Sequence, residues 1–219
     1  MNTPKLKWTY ALLAMVPVTA FAGQSVDQSW DLNADASVFI DNVDGEIVVE
    51  AWDRKAARLT GELADSVERL IVEADEDSLS IKVKNRSERY TDNSNLKLMI
   101  PTGANLEANG VSADISVSGL DNERLSASSV SGDVTVQAVS AWVNVESVSG
   151  DVDFGGETSR ITAESVSGDI DLDGISGEVT ATTVPDRVNL RVGTVLNGVT
   201  SGSSVTPRSF LRIFLANSW

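Results

Sequence analysis

Seven consecutive nine-residue segments between Val130 and Val192 share one pattern of apolar and polar positions. They read VSGDVTVQA, VSAWVNVES, VSGDVDFGG, ETSRITAES, VSGDIDLDG, ISGEVTATT and VPDRVNLRV. Positions five and seven of each segment are apolar and mostly β-branched, and positions two, six and eight are nearly all polar. Such alternation predicts strands whose odd positions face a core and whose even positions face solvent.

A small residue recurs at the third position of most segments, as in Gly132, Gly150 and Gly168. It predicts a corner at which the backbone needs permissive angles. Each segment is therefore expected to form a strand of about five or six residues and a corner.

The segments alternate in kind, because only those that begin at Val130, Val148 and Val166 carry the complete VSGD sequence. The repeat is therefore 18 residues long and contains two unlike strands. An antiparallel meander and a parallel solenoid both accommodate this repeat. The solenoid is favoured because it stacks identical residues of successive coils on one another, with a rise of about 4.8 Å per coil. We predict an all-β, single-stranded β-solenoid (β-helix-like) with coils of about 18 residues over residues 111–192.

The repeat array is flanked by two regions that do not follow its pattern. Residues 23–110 contain several alternating segments separated by turn residues, and we interpret them as an N-terminal β cap with degenerate coils. Residues 193–219 are apolar, basic and aromatic. Three interpretations of this tail remain open: a C-terminal cap, an altered end of a longer array, and a partner-binding segment.

Residues 1–22 have the features of an export signal. Lys5 and Lys7 precede an apolar stretch that closes on the A-x-A pattern Ala20–Ala22. The stretch is too short for a membrane span and contains Pro17. We expect cleavage after this signal, export to the periplasm or cell surface, and no integral membrane segment in the mature chain.

Charge and composition exclude several functions. All 32 acidic residues lie between Gly23 and Asp186, together with only 11 of the 17 basic residues, so the body of the protein repels nucleic acid. The absence of histidine and cysteine removes the Ser-His-Asp triad, the thiolate nucleophile and most zinc sites. Tight corners also leave no room for a cleft. We therefore expect no enzyme activity and no required cofactor.

Three aspartates recur at the same repeat position, namely Asp133, Asp151 and Asp169. Neighbouring carboxylates in such a column repel each other by about 1 kcal/mol in water, so an offsetting interaction is expected. In one interpretation each aspartate accepts hydrogen bonds from backbone amides of the corner. In the other, calcium bridges successive coils, because hard oxygen ligands suit that ion.

Trp142 interrupts the polar pattern at a position where aspartate is expected. Two interpretations stay open: packing under a neighbouring segment, and a surface contact with a ligand.

The repeated VSGD sequence resembles a family of bacterial envelope proteins of unknown function, the putative-adhesin family. NVDGEIVVEAWDR (Asn42–Arg54) resembles its opening strand pair, Leu96–Leu120 its entry into the array, and the three VSGD segments its repeat core. The resemblance implies a β-solenoid at an exported or surface-exposed location, without catalytic residues or an established cofactor.

These observations predict an exported, non-catalytic, adhesin-like protein that binds a protein or polysaccharide surface. The main alternative is a periplasmic structural or envelope-stress accessory protein. A carbohydrate-active β-helix enzyme is a more distant alternative, since such enzymes work with carboxylates alone.

Overall fold

The computed structural model describes residues 25–86, 92–183, 188–191, 203–205 and 211–214, and within these ranges every regular element is a β-strand. The strands of these ranges form one 13-stranded sheet. Their bounds are β1 Ser25–Asp31, β2 Ser37–Trp52, β3 Ala56–Glu62, β4 Val67–Ala74, β5 Ser78–Asn85, β6 Ser94–Pro101, β7 Asn105–Ser129, β8 Val134–Ser147, β9 Val152–Ser165, β10 Ile170–Thr183, β11 Val188–Arg191, β12 Ser203–Val205 and β13 Leu211–Phe214. The all-β prediction is confirmed for this part of the chain.

The N-terminal region mixes parallel and antiparallel pairing. β2 pairs in parallel with β5, β6 and β7. β3 pairs antiparallel with β1 and β6, and β4 pairs antiparallel with β5. Because β7 runs without interruption from this region into the repeats, both parts share one sheet and one core.

In the repeat array, β8, β9 and β10 are stacked in parallel in the order of the sequence. Val152 lies opposite Val134 on one side and Ile170 on the other, so equivalent residues 18 positions apart are neighbours in space. This parallel pairing excludes the antiparallel meander for the described repeats.

One residue more than the repeat requires is accommodated between β7 and β8. Ile115 pairs with Val134, 19 positions later, whereas Leu125 pairs with Val143, 18 positions later. The register shifts between Ser118 and Asp121. A β-bulge of this kind absorbs an insertion without turning the following side chains to the wrong face.

Positions five and seven of the segments supply the core of the array, as the alternation predicts. The side chains at these positions that are at most 2% exposed are Val134, Val136, Val143, Val145, Val152, Phe154, Ile161, Ala163, Ile170, Leu172, Val179 and Ala181. Each buried Val, Leu, Ile or Phe contributes roughly 1.5–3 kcal/mol of transfer free energy.

The prediction that every odd position faces inward is wrong for most residues at position one, although Ile175 is buried. Val130, Val148 and Val166 are 46%, 43% and 56% exposed. These three residues lie in the bends before β8, β9 and β10 rather than in strands, so the period-two rule does not reach them. The preceding residues, among them Ser147 and Ser165, are buried in their place.

The last long strand pairs with β11, at the end of the array, and with β13 of the tail. β11 pairs in parallel with the first half of β10, and β13 pairs antiparallel with Glu178–Ala181 in its second half. β13 thus lies where the cap interpretation places the tail. β12, the other described part of the tail, pairs antiparallel with β11. The remaining tail residues and the predicted signal, residues 1–22, lie outside the described residues.

Candidate functional site

A buried serine builds the corner at each VSGD sequence. The Ser147 hydroxyl donates to the Gly132 carbonyl oxygen at 3.0 Å and accepts from the Gly150 amide at 2.9 Å. Ser129 makes the same pair of bonds one repeat earlier. Ser165 donates to the Gly150 carbonyl oxygen at 3.1 Å. One hydroxyl therefore satisfies backbone groups of two successive repeats, which have no access to water.

The glycines of the corners are required by close approach between repeats. Permissive backbone angles are expected at these corners, but the φ angles of Gly132, Gly150 and Gly168 are not positive, so left-handed backbone is not the reason for glycine there. Instead, a Cβ atom on Gly150 would overlap the carbonyl oxygen of Gly132, and one on Gly168 would overlap that of Gly150. Only a residue without a side chain allows the backbones to meet at this distance.

The predicted aspartates form a continuous ladder along the same corner. The backbone amide of Asp151 donates to Asp133 Oδ1 at 2.9 Å, and that of Asp169 donates to Asp151 Oδ1 at 2.8 Å. Asp114 extends the ladder by accepting from the Asp133 amide at 3.0 Å. These bonds agree with the interpretation in which aspartates of the ladder accept hydrogen bonds from corner amides, and such charge-assisted bonds favour the ionised carboxylates.

The structure gives the calcium interpretation no additional support. Among the described residues, no group of three or more acidic, histidine or cysteine side chains is arranged to hold a metal ion. Calcium at Asp133, Asp151 and Asp169 stays a prediction.

Next to the ladder, a solvent-facing surface is built from the first halves of β8, β9 and β10. Thr135, Asp153 and Asp171 stand opposite one another in successive strands, and Asn189 of β11 continues their column. We call this surface the acidic face, and it includes the adjacent column of Gln137, Gly155 and Asp173.

The acidic face contains a depression of about 460 Å³. It exists because Gly155 contributes no side chain between Gln137 and Asp173. The Gln137 side chain leans over the gap, so that a Cβ atom on Gly155 would lie 2.8 Å from Gln137 Cδ. The lining residues are Thr135, Gln137, Asp153, Phe154, Gly155, Gly156, Asp171, Leu172, Asp173 and Asn189.

Electrostatic repulsion is concentrated at one carboxylate of this depression. Burial raises the pKa of Asp153, and the negative charges of Asp171, Asp151 and Asp133 raise it further. A cationic group that entered the depression would relieve this repulsion.

Trp142 lies in a different column from the aspartates. The Arg124 guanidinium stacks over its ring at 5.4 Å from the ring centroid. Arg160 stands opposite Trp142 on the next strand and forms an ion pair with Glu178 at 3.1 Å. Trp142 is therefore half-buried, with a side chain of the adjacent strand over its ring, and the structure does not bring it together with the predicted ladder.

The depression was not predicted from the sequence. The expectation that tight corners leave no room for a cleft concerns the corners, and this depression lies on a strand face instead. Its sequence signal is Gly155-Gly156, which stands where neighbouring segments carry Gln137-Ala138 and Asp173-Gly174.

No helix of the described residues is long and apolar enough to span a membrane.

Comparison with known proteins identifies a family. Residues 36–199 match the family described as Toastrack DUF4097. No curated protein matches the chain. A putative adhesin from Bacteroides fragilis NCTC 9343 has a similar fold, with a TM-score of 0.50 and 15% identity over 74% of this chain and 78% of that chain.

Two further solved structures are more distant. A putative cell adhesion protein from Clostridium sporogenes ATCC 15579 gives a TM-score of 0.43 and 6% identity, over 64% of this chain and 73% of that chain. A putative adhesin from Parabacteroides distasonis ATCC 8503 gives a TM-score of 0.28 and 15% identity, over 78% of this chain and 94% of that chain. Because the family match extends over most of the chain, the protein belongs to the Toastrack DUF4097 family.

Proposed function

We propose that the protein is an exported, non-catalytic, adhesin-like binding protein of the bacterial envelope. The observation that carries this proposal is the acidic face, where equivalent side chains of successive repeats align in columns around a depression of about 460 Å³. Such a surface offers the same contact several times to an extended protein or polysaccharide partner.

The architecture behind this surface is, we infer, a single-stranded β-solenoid with 18-residue coils and an N-terminal β cap. Parallel pairing at an offset of 18 residues between β8, β9 and β10 supports it. The serine bonds that join one VSGD corner to the next support it as well. A solenoid keeps its outward side chains free of any role in the core, which suits a binding surface.

A binding assay tests the proposed activity. The mature chain, residues 23–219, is labelled and applied to arrays of bacterial surface polysaccharides and of envelope proteins. We expect saturable binding that is weakened in the variant Asp153→Asn/Asp171→Asn, whose fold is checked by circular dichroism. Equal binding by the variant, or no saturable binding to any array, would contradict the proposal.

The cellular location distinguishes this function from the periplasmic accessory role. The sequence of residues 1–22 supports export, and the name of the similar structure from Bacteroides fragilis, a putative adhesin, supports a surface role. Protease treatment of intact cells should remove a surface-exposed protein and leave a periplasmic marker protein intact. If the protein survives as the marker does, the accessory role replaces the adhesin-like one.

A carbohydrate-active enzyme is the second candidate, because Asp153 has a raised pKa and shares the depression with Asp171 and Asp173. A carboxyl group with a raised pKa beside a second carboxylate is the arrangement that glycosidases use. Release of reducing sugar from a panel of polysaccharides, lost in Asp153→Asn, would favour the enzyme. No release by the unmodified protein would leave the binding function.

A further inference from the structure

The VSGD corner presents an exposed apolar stripe beside the aspartate ladder. Four valines, one from each successive repeat, are between 43% and 56% exposed. We call them the valine stripe, and they are Val111, Val130, Val148 and Val166. Backbone hydrogen bonds fix their spacing. The amides of Ser131, Ser149 and Ser167 donate to the carbonyl oxygens of Val111, Val130 and Val148, respectively, at 2.8–2.9 Å.

Folding alone does not explain these side chains. Val130, Val148 and Val166 lie in bends, so their β-branched shape gives no advantage in strand formation. They are not among the residues of the hydrophobic core. About half of each side chain remains exposed to water. A repeated apolar patch of this kind marks an interaction surface.

The surroundings of the valine stripe are strongly acidic. Asp114, Asp133 and Asp151 follow three residues after their valines on the same corner. Between residues 105 and 183 the chain has 14 acidic residues and two basic ones. The basic ones are Arg124 and Arg160, which belong to the column of Trp142. A partner that covers the stripe therefore meets apolar side chains next to an uninterrupted row of negative charge.

We propose that the valine stripe and the aspartate ladder together dock a basic segment of a partner protein that carries apolar and lysine or arginine side chains on one face. This inference rests on the proposed binding function and names the partner's chemistry. A second copy of this chain would place two identical carboxylate ladders against each other. An anionic lipid surface is repelled by the same ladder. A glycan would need an aromatic platform, and the stripe has none.

A synthetic peptide with three Lys-Ser-Val-Ser repeats tests the inference, because an extended chain places its lysines and valines on one face. Binding is measured by fluorescence anisotropy with the mature chain. We expect the triple variant Val130→Ser/Val148→Ser/Val166→Ser to bind roughly 60-fold more weakly, at about fourfold for each valine removed. A peptide of the same charge with serine in place of valine should lose a similar factor.

Val139 supplies a matched control, because it is 44% exposed and does not belong to the stripe. Val139→Ser should bind like the unmodified protein. Asp133→Asn/Asp151→Asn should bind more weakly and with a smaller dependence on salt, since asparagine keeps the acceptor oxygen of the ladder and removes its charge. Thermal melting checks that each variant is folded.

The outcomes separate this inference from the proposed function. If the triple variant binds the peptide as well as Val139→Ser does, or if the unmodified protein does not bind the peptide, the stripe is not the docking surface. Binding of the arrays that persists in that case keeps the proposed function and overturns only this inference. Sedimentation of the protein alone at the concentrations used must show a monomer, because a dimer that the triple substitution dissociates would identify a second copy as the occupant.

Discussion

Glycine at the third position of VSGD sets how closely successive repeats approach. We predict that Gly150→Ala destabilises the protein by about 1–3 kcal/mol, because the added Cβ atom would overlap the carbonyl oxygen of Gly132 and force the repeats apart. The free energy of unfolding is measured in urea. Ser149→Ala changes an exposed side chain of the same corner and should lie within about 0.5 kcal/mol of the unmodified protein. Equal stabilities for the two variants would show that the corner relaxes freely.

A second prediction concerns the pH dependence at Asp153. Its raised pKa means that the folded state binds a proton more tightly than the unfolded state does, so the ionised carboxylate lowers stability above the raised pKa. Asp153→Asn should therefore increase the free energy of unfolding at neutral pH. The increase should disappear below about pH 3, where the carboxyl group is protonated in both states.

Asp27 provides the opposite case for comparison. A hydrogen bond from Arg58, with 2.7 Å between Arg58 Nη2 and Asp27 Oδ2, lowers the pKa of Asp27. Its ionised form stabilises the fold above the ordinary pKa, and that contribution is lost as the pH falls through the lowered value. Asp27→Asn should thus reduce stability at neutral pH. Urea titrations at several pH values that give both variants the same sign would contradict this account.

The residues of the site were predictable only where the sequence repeats them. The aspartate ladder follows from identical positions 18 residues apart, and the structure places these aspartates in one column. The depression depends on a side chain that Gly155 lacks and on the direction in which Gln137 leans over the gap. Neither feature recurs from one repeat to the next, so the pattern of apolar and polar positions cannot predict it.

At the scale of the strand, the 18-residue offset between β8, β9 and β10 makes a clear prediction for deletions. Removal of Val148–Ser165 joins Ser147 to Val166 and brings Val134 opposite Ile170, so every remaining pair keeps an equivalent partner. We expect a folded protein with a lower free energy of unfolding, because stability in repeat proteins adds up from units and their interfaces.

Removal of nine residues is the matched control for this deletion. Without Val139–Ser147, the second half of one repeat is missing, and the following strand meets a partner of the other kind. We expect loss of cooperative unfolding by circular dichroism in urea. If the nine-residue and 18-residue deletions unfold alike, the two halves of the repeat are interchangeable and the offset is not the unit of the fold.

Strands and their parallel order could be predicted, and the limits of that prediction have a physical cause. Alternation identifies Val134, Val136, Val143 and Val145 of β8 as buried, because side chains in a strand point to opposite faces in turn. Its phase changes within the same strand, since Val139 is exposed and Ser140 is buried. The same rule placed Val130 and Val148 in the core, since it was continued through the corner, where the chain bends and alternation stops. Periodicity therefore identifies buried positions only as far as its phase stays constant.

The protein as a whole carries a net charge of −15, so its response to a divalent cation is a test of the aspartate ladder. We predict that millimolar calcium raises the melting temperature by less than about 2 °C. A larger shift requires an ion that binds tightly to the folded state and not to the unfolded state. The backbone amides already offset the repulsion in the aspartate ladder. Asp151→Asn should show the same small shift in thermal melting. A large shift that this variant abolishes would instead establish calcium bridging along the ladder.

The gap at Gly155 has a consequence for how such a protein changes its partners. The depression is placed by one outward residue that the core does not use, while Phe154 and Leu172 beneath it stay buried. A glycine at the equivalent outward position of another repeat, such as that of Gln137, would open a depression there, and a glutamine in place of Gly155 would close this one. Single substitutions at outward positions can therefore move the depression from one repeat to another while the core of the fold stays unchanged.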